Sequence, residues 1–133
     1  MGTLALNGLN HIGVKVRDIE ASKAYYRDIL DAEFYHDDEV GDGDEITKVS
    51  FFRIGDCRVE LIQPPVFESV VNGVVEHIAF DVTGIDAAKA ELESRGVTFL
   101  SEVNHLPSFF DNGCKYVLFK GPDGEILELN EVL

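Results

Sequence analysis

Asn10-His11-Ile12-Gly13-Val14-Lys15-Val16 comes back 66 residues later as Glu76-His77-Ile78-Ala79-Phe80-Asp81-Val82. Residues 11–24 and 77–90 agree at seven of fourteen places: His, Ile, Val, Ile, Ala, Lys and Ala. Agreement at that level marks an internal repeat, which sets the architecture before any single element is read. Each copy reads as a short alternating strand running into a helix. Asp18 reads as the first helix N-cap, ahead of Ile19, Ser22, Tyr26, Ile29 and Leu30 at helical spacing. Ile85, Ala88 and Leu92 form the second helical stripe, which Gly96 ends.

The remaining segments also come in two sets. In the first half, strands are expected over 32–36, 46–54 and 57–63, with an acidic loop over 37–44, a Gly55-Asp56 turn and Pro64-Pro65 as a stop. In the second half, strands are expected over 97–103, 115–120 and 125–131, with a loop over 104–113 and a turn at Gly121-Pro122-Asp123-Gly124. The last two strands of each half match at an offset of 68, which pairs Val49 with Val117, Phe51 with Phe119, Glu60 with Glu128 and Leu61 with Leu129. The unit is therefore β-α-β-β-β, used twice within one domain, over 9–64 and 75–131 with 66–74 as connector. One helix covers only one face of such a sheet. The other face is left for a module, a chain or a ligand.

Composition narrows the function classes. The chain holds 25 acidic and 11 basic residues, a net charge of −14, which repels nucleic acid and anionic membranes. No apolar run approaches the roughly 20 residues of a membrane span. Residues 1–8 lack the basic, then apolar, pattern of a secretory leader. Two cysteines, Cys57 and Cys114, are too few for a disulfide framework and read as packing residues in a reducing cytoplasm.

Strand parity then isolates four polar residues. His11 lies opposite Ile12, Val14 and Val16; His77 lies opposite Ile78, Phe80 and Val82. Glu60 stands between Val59 and Leu61, and Glu128 between Leu127 and Leu129. All four fall on the side of the sheet away from the helix. A lone strand histidine is ordinarily a hydrogen-bonded structural residue, but a carboxylate inside an apolar strand needs a partner. Both types recur at matching places in both halves. Two imidazoles and two carboxylates suit a divalent ion and leave positions open for substrate, while the lack of thiolate disfavours structural zinc. His36 reads as an exposed turn residue, His105 as a loop residue able to roof a cleft, Phe51, Phe109 and Phe110 as core or pocket wall, and Tyr25 as outer helix surface.

The βαβββ repeat, the His-Ile opening of each half, Val59-Glu60-Leu61 and the ending Gly121-Pro122-Asp123-Gly124-Glu125-Ile126-Leu127-Glu128-Leu129 resemble the vicinal oxygen chelate superfamily. That group includes glyoxalase I, methylmalonyl-CoA epimerase, extradiol dioxygenases, fosfomycin-resistance proteins and bleomycin-binding proteins. The resemblance implies an α+β fold of two tandem modules forming a curved mixed sheet around a metal cleft. It implies one divalent metal (Ni, Zn, Co or Mn) on His11, Glu60, His77 and Glu128, in a homodimer acting on a small substrate with vicinal oxygens. The His/Glu/His/Glu set is that expected of bacterial glyoxalase I, a lyase that moves a proton between adjacent carbons through a metal-stabilised enediolate. Glu128 is then the proton shuttle and Glu60 its partner. Glyoxalase I tends to carry Arg four residues after the first His and Asn four after the first Glu; Lys15 and Pro64 stand there instead. The alternative is an isomerase like methylmalonyl-CoA epimerase, whose hairpin Gly55-Asp56-Cys57-Arg58-Val59-Glu60-Leu61-Ile62-Gln63-Pro64 resembles and for which Asp44 or Glu45 are candidate further carboxylates. Further alternatives are an Fe(II) ring-cleaving dioxygenase on His11, His77 and Glu128, or a metabolite- or drug-binding protein.

Overall fold

Alternation in the sequence becomes two sheets, one per repeat. The computed structural model describes residues 7, 9–68, 73 and 75–133. The chain divides into the units Met1–Phe67 and Glu68–Leu133. Most of segment 1–8, expected to carry no secretory leader, and part of the connector, 69–72 and 74, lie outside the described residues.

The first unit runs β1 (Ile12–Lys15), α1 (Ile19–Ala24, continued by a π-helical turn over Tyr25–Ile29), β2 (Glu33–Val40), β3 (Thr47–Ile54) and β4 (Cys57–Gln63). Its sheet has the order β1-β4-β3-β2, with β1 parallel to β4 and the other pairs antiparallel. The second unit runs β5 (Ile78–Asp81), α2 (Ile85–Ser94), β6 (Asn104–Leu106), β7 (Cys114–Lys120) and β8 (Ile126–Val132), in the order β5-β8-β7-β6. Each unit is thus a βαβββ module.

Register places the core where parity expects it. Phe52 faces Val59 across β3 and β4, and these bury with Leu61, Val14, Val16, Ile19 and Tyr26. In the second unit Val117 pairs with Leu129 and Phe119 with Leu127, buried with Ile85 and Leu92. Each such side chain removed from water contributes about 1.5–3 kcal/mol.

Both helices are started by the same long-range device. The side chain of Gln63, at the end of β4, accepts the Ile19 N–H at 2.7 Å, beside Asp18, whose carboxylate accepts from Glu20 and Ala21. Glu131, 68 residues after Gln63, accepts from the N–H groups of Gly84 and Ile85 at 2.7 and 3.1 Å. Those two donors hold the Glu131 carboxyl below the usual range, as anions at a helix N-terminus are stabilised. Gly84 has φ +76°, which a capping Asp adopts poorly, so the carboxylate comes from β8 instead.

Several boundaries differ from the expectations. Residues 37–40 are not loop: β2 continues to Val40, which pairs with Thr47. An edge strand exposed along its length tolerates acids that a central strand would exclude, and Asp37 is held by Lys23 at 2.7 Å. Residues 97–103 are not a strand. Phe99 forms a single bridge to Phe119, and pairing resumes only at Asn104 with Tyr116, so two extra residues bulge out between them. The strand expected from Leu9 begins at Ile12, and that expected from Val75 begins at Ile78, which leaves His11 and His77 each one residue ahead of a strand. Tyr25 is half-buried against Tyr26 rather than on the outer surface. No helix among the described residues is long and apolar enough to cross a membrane.

Candidate metal centre

Each module brings its own histidine and glutamate together. Gly13 pairs with Glu60 across β1 and β4, so His11, two residues earlier, projects on the same face. His11 Nε2 lies 3.3 Å from Glu60 Oε1. In the second module Ala79 pairs with Glu128, and His77 Nε2 lies 3.6 Å from Glu128 Oε1. A Cβ on Gly13 would sit 3.2 Å from Ile62 Cδ1 and 3.8 Å from Glu60 Oε1. The small residues Gly13 and Ala79 keep the face beside each carboxylate open.

The far nitrogen of each ring is held by the preceding residue. His11 Nδ1 meets Asn10 Oδ1 at 2.8 Å, and His77 Nδ1 meets Glu76 Oε1 at 3.3 Å. Both partners are acceptors, so Nδ1 is the nitrogen suited to donate to them, and the other ring nitrogen, Nε2, is turned on a carboxylate oxygen in each module. Such a nitrogen and oxygen attract when a proton or a cation lies between them. Two donors each about 2.1 Å from one ion stand about 3.0 Å apart at a right angle and about 3.4 Å apart at the tetrahedral angle. The observed separations match or slightly exceed the edge of such a polyhedron, and imidazole nitrogen with carboxylate oxygen is a donor set for a divalent ion. Among the described residues no group of three or more His, Cys, Asp or Glu is placed to hold a metal; each module presents two donors.

The two pairs are not alike in their surroundings. Phe51, the register partner of Glu60, stands edge-on to the His11 ring at 5.7 Å. The Glu60 side chain is 19% exposed and that of Glu128 10%. Glu128 Oε2 also accepts from Asn130 Nδ2 at 3.0 Å, which leaves Oε1 as the oxygen toward His77. The Asn130 Oδ1 atom is buried without a hydrogen-bond partner among the described residues.

Asn10, Glu76 and Asn130 were missed in the sequence, although a polar residue before each histidine and an Asn two after Glu128 were the available signals. The other singled-out residues take lesser places. His36 is exposed and 3.5 Å from Asp38, and His105 is exposed on β6. Phe109 and Phe110 are exposed and form no part of the second module's core, because they ride the turn that follows β6. Phe51 does line the face that carries His11. Lys15 is exposed on β1 and Pro64 follows β4. Asp44 and Glu45 are exposed in a single 3-10 turn between β2 and β3. Cys57 is half-buried and Cys114 buried, both as free thiols.

Known proteins bear on this geometry. Ethylmalonyl-CoA/methylmalonyl-CoA epimerase of Cereibacter sphaeroides is 31% identical, over 93% of this chain and 97% of that protein. A glyoxalase family protein from Enterococcus faecalis superposes with a TM-score of 0.76 at 21% identity, covering 94% of this chain and 98% of that one. The fosfomycin resistance protein FosX of Listeria monocytogenes, in complex with Mn(II) and sulfate ion, superposes with a TM-score of 0.70 at 22% identity, covering 97% and 95%. Residues 8–129 match the sequence profile of one family, and the chain belongs to it: the Glyoxalase/Bleomycin resistance protein/Dioxygenase superfamily.

Proposed function

We propose that the pairs His11–Glu60 and His77–Glu128 share one divalent cation, and that the protein is an enzyme moving a proton at a carbon next to a carbonyl. The observation that carries this reading is the Nε2 of each ring turned on a carboxylate oxygen, with Nδ1 held by the preceding residue, in both modules. The two modules then act as one domain, from one chain or from two in a homodimer. Light scattering at twice 14.7 kDa supports the dimer, and a 14.7 kDa species removes it.

A divalent ion held there supplies Lewis acidity that polarises the carbonyl and lowers the pKa of the adjacent C–H. Glu128 would take the proton through Oε1 when that oxygen is not held by the ion, and the C–H electron pair stays with the substrate. Asn130 holds the other oxygen, so the basic one keeps its direction. Glu60, carrying a proton from solvent, would deliver it to the other face of the carbon and invert it, while Glu128 releases its proton to solvent. The epimerase-type reaction is favoured by the full-length similarity to an acyl-CoA epimerase. A second reading, proton transfer between adjacent carbons as in glyoxalase I, is favoured by Glu60, a carboxylate in the second ligand place.

The test is α-proton exchange in D2O followed by NMR. Methylmalonyl-CoA and the methylglyoxal–thiol adduct are each offered with Ni, Co, Mn or Zn. Metal-dependent deuterium incorporation into one of them supports the proposal and chooses between the readings. Protein that binds no ion stoichiometrically, or exchange indifferent to chelator, overturns it.

A further inference from the structure

Arg53 and Arg58 are register partners on β3 and β4, so two arginine side chains leave directly opposed backbone positions on one face of the sheet. Like charges so placed destabilise a sheet. The chain has more than twice as many acids as bases, yet among the described residues neither arginine forms an ion pair, although Glu33 on β2 is the other register partner of Arg53. What they share is Tyr35, the residue bulged out of β2 between Phe34 and His36. Arg53 lies 5.1 Å and Arg58 5.6 Å from the centre of its ring. A cation over a ring face orients the guanidinium without neutralising it.

The pair is also tied to the candidate metal centre. Arg58 is two residues before Glu60 on the same strand face, a step of about 7 Å. Its Nη1 donates to the backbone oxygen of Asn10 at 3.3 Å, the residue whose side chain holds His11. Among the described residues the pair's guanidinium groups make one hydrogen bond, the one to Asn10. Two fixed positive charges in fork geometry match a group with two negative charges and several oxygens better than a single carboxylate. The second module has no counterpart, since Gly121 and Ile126 occupy the places 68 residues on.

We infer that Arg53, Arg58 and Tyr35 form an oxyanion clamp for a phosphate- or phosphonate-type dianion carried by the substrate. The placement of that group near a reacting carbon rests on the function proposed above; the clamp itself does not.

Isothermal titration of the chelator-treated full chain with inorganic phosphate, and with acetate for comparison, tests it. Saturable phosphate binding is expected, at least about tenfold tighter than acetate and weakened about tenfold in R53Q and in R58Q, as for loss of a charged hydrogen bond. It should also weaken with added salt. Coenzyme A and glycerol 3-phosphate as competitors assign the dianion to an acyl carrier or to a small substrate, and displacement by either supports the clamp. Phosphate binding that survives both substitutions, or acetate bound as tightly, overturns it. The exposed Arg53 keeps the test open should R58Q fail to fold; a lower melting temperature in R53Q with unchanged phosphate affinity makes the arginines structural and also overturns it. Phosphate binding as expected without α-proton exchange removes the proposed function and leaves the clamp, whereas exchange without phosphate binding removes the clamp alone.

Discussion

The two modules share a topology, a register and a His/Glu pair, and they differ in what surrounds that pair. In the first, Glu60 is the more open carboxylate, with Phe51 beside His11 and the Arg53/Arg58 pair one step along the sheet. In the second, Glu128 is nearly enclosed and its outer oxygen is held by Asn130, where the first module has Ile62. The residues pointing at the candidate ion are the same in both copies. Their neighbours diverged, so on the proposed reading the first module grips substrate while the second aims a base.

That division can be broken. The largest expected effect is in E128Q, which should lower α-proton exchange about a thousandfold while leaving metal bound, the range for losing a positioned proton-transfer group. Equal losses in E60Q and E128Q, measured side by side, would make the two carboxylates interchangeable. Next, H11A and H77A should each weaken divalent binding more than about a hundredfold in calorimetric titration, beyond the cost of losing an outer-shell partner. A loss in one only would confine the ion to one module. Asn130→Ile, which gives the second module the first module's residue, should cut exchange about tenfold or more with metal affinity unchanged. Unchanged turnover would return Asn130 to a packing role.

The smallest effect concerns the helix starts. Glu131 has its carboxyl depressed below the ordinary value of 4.5 by the Gly84 and Ile85 N–H groups. Its contribution to stability is therefore complete above pH 4.5 and fades as the pH falls through the depressed folded value. E131Q should melt a few degrees lower at neutral pH, and the gap to wild type should close in acid. Gln63 performs the corresponding task without a charge, so Gln63→Ala should cost stability with no such closing.

The repeat made the topology legible, because parity and a fixed offset act on single letters. Parity also put His11 with Glu60, and His77 with Glu128, on the helix-free face of their own sheets, and the structure brings each pair together within its module. The boundaries were harder. Asp37, Asp38 and Glu39 look like loop because composition carries no information about which strand lies at an edge. Val97 to Val103 looks like strand because its apolar residues are real, but only Phe99 finds a partner before the chain bulges. Asn10, Glu76 and Asn130 depend on side-chain direction, and Arg53 and Arg58 look like ordinary surface charge until register sets them opposite each other.

β2 is an edge strand of its sheet, and three consecutive acids, Asp37, Asp38 and Glu39, sit on it. Mutual repulsion there bars another molecule's strand from adding on. That guard depends on charge. D38N/E39Q, which removes two of the three charges from the rim, should take the protein from clear solution to thioflavin-positive fibrils at neutral pH.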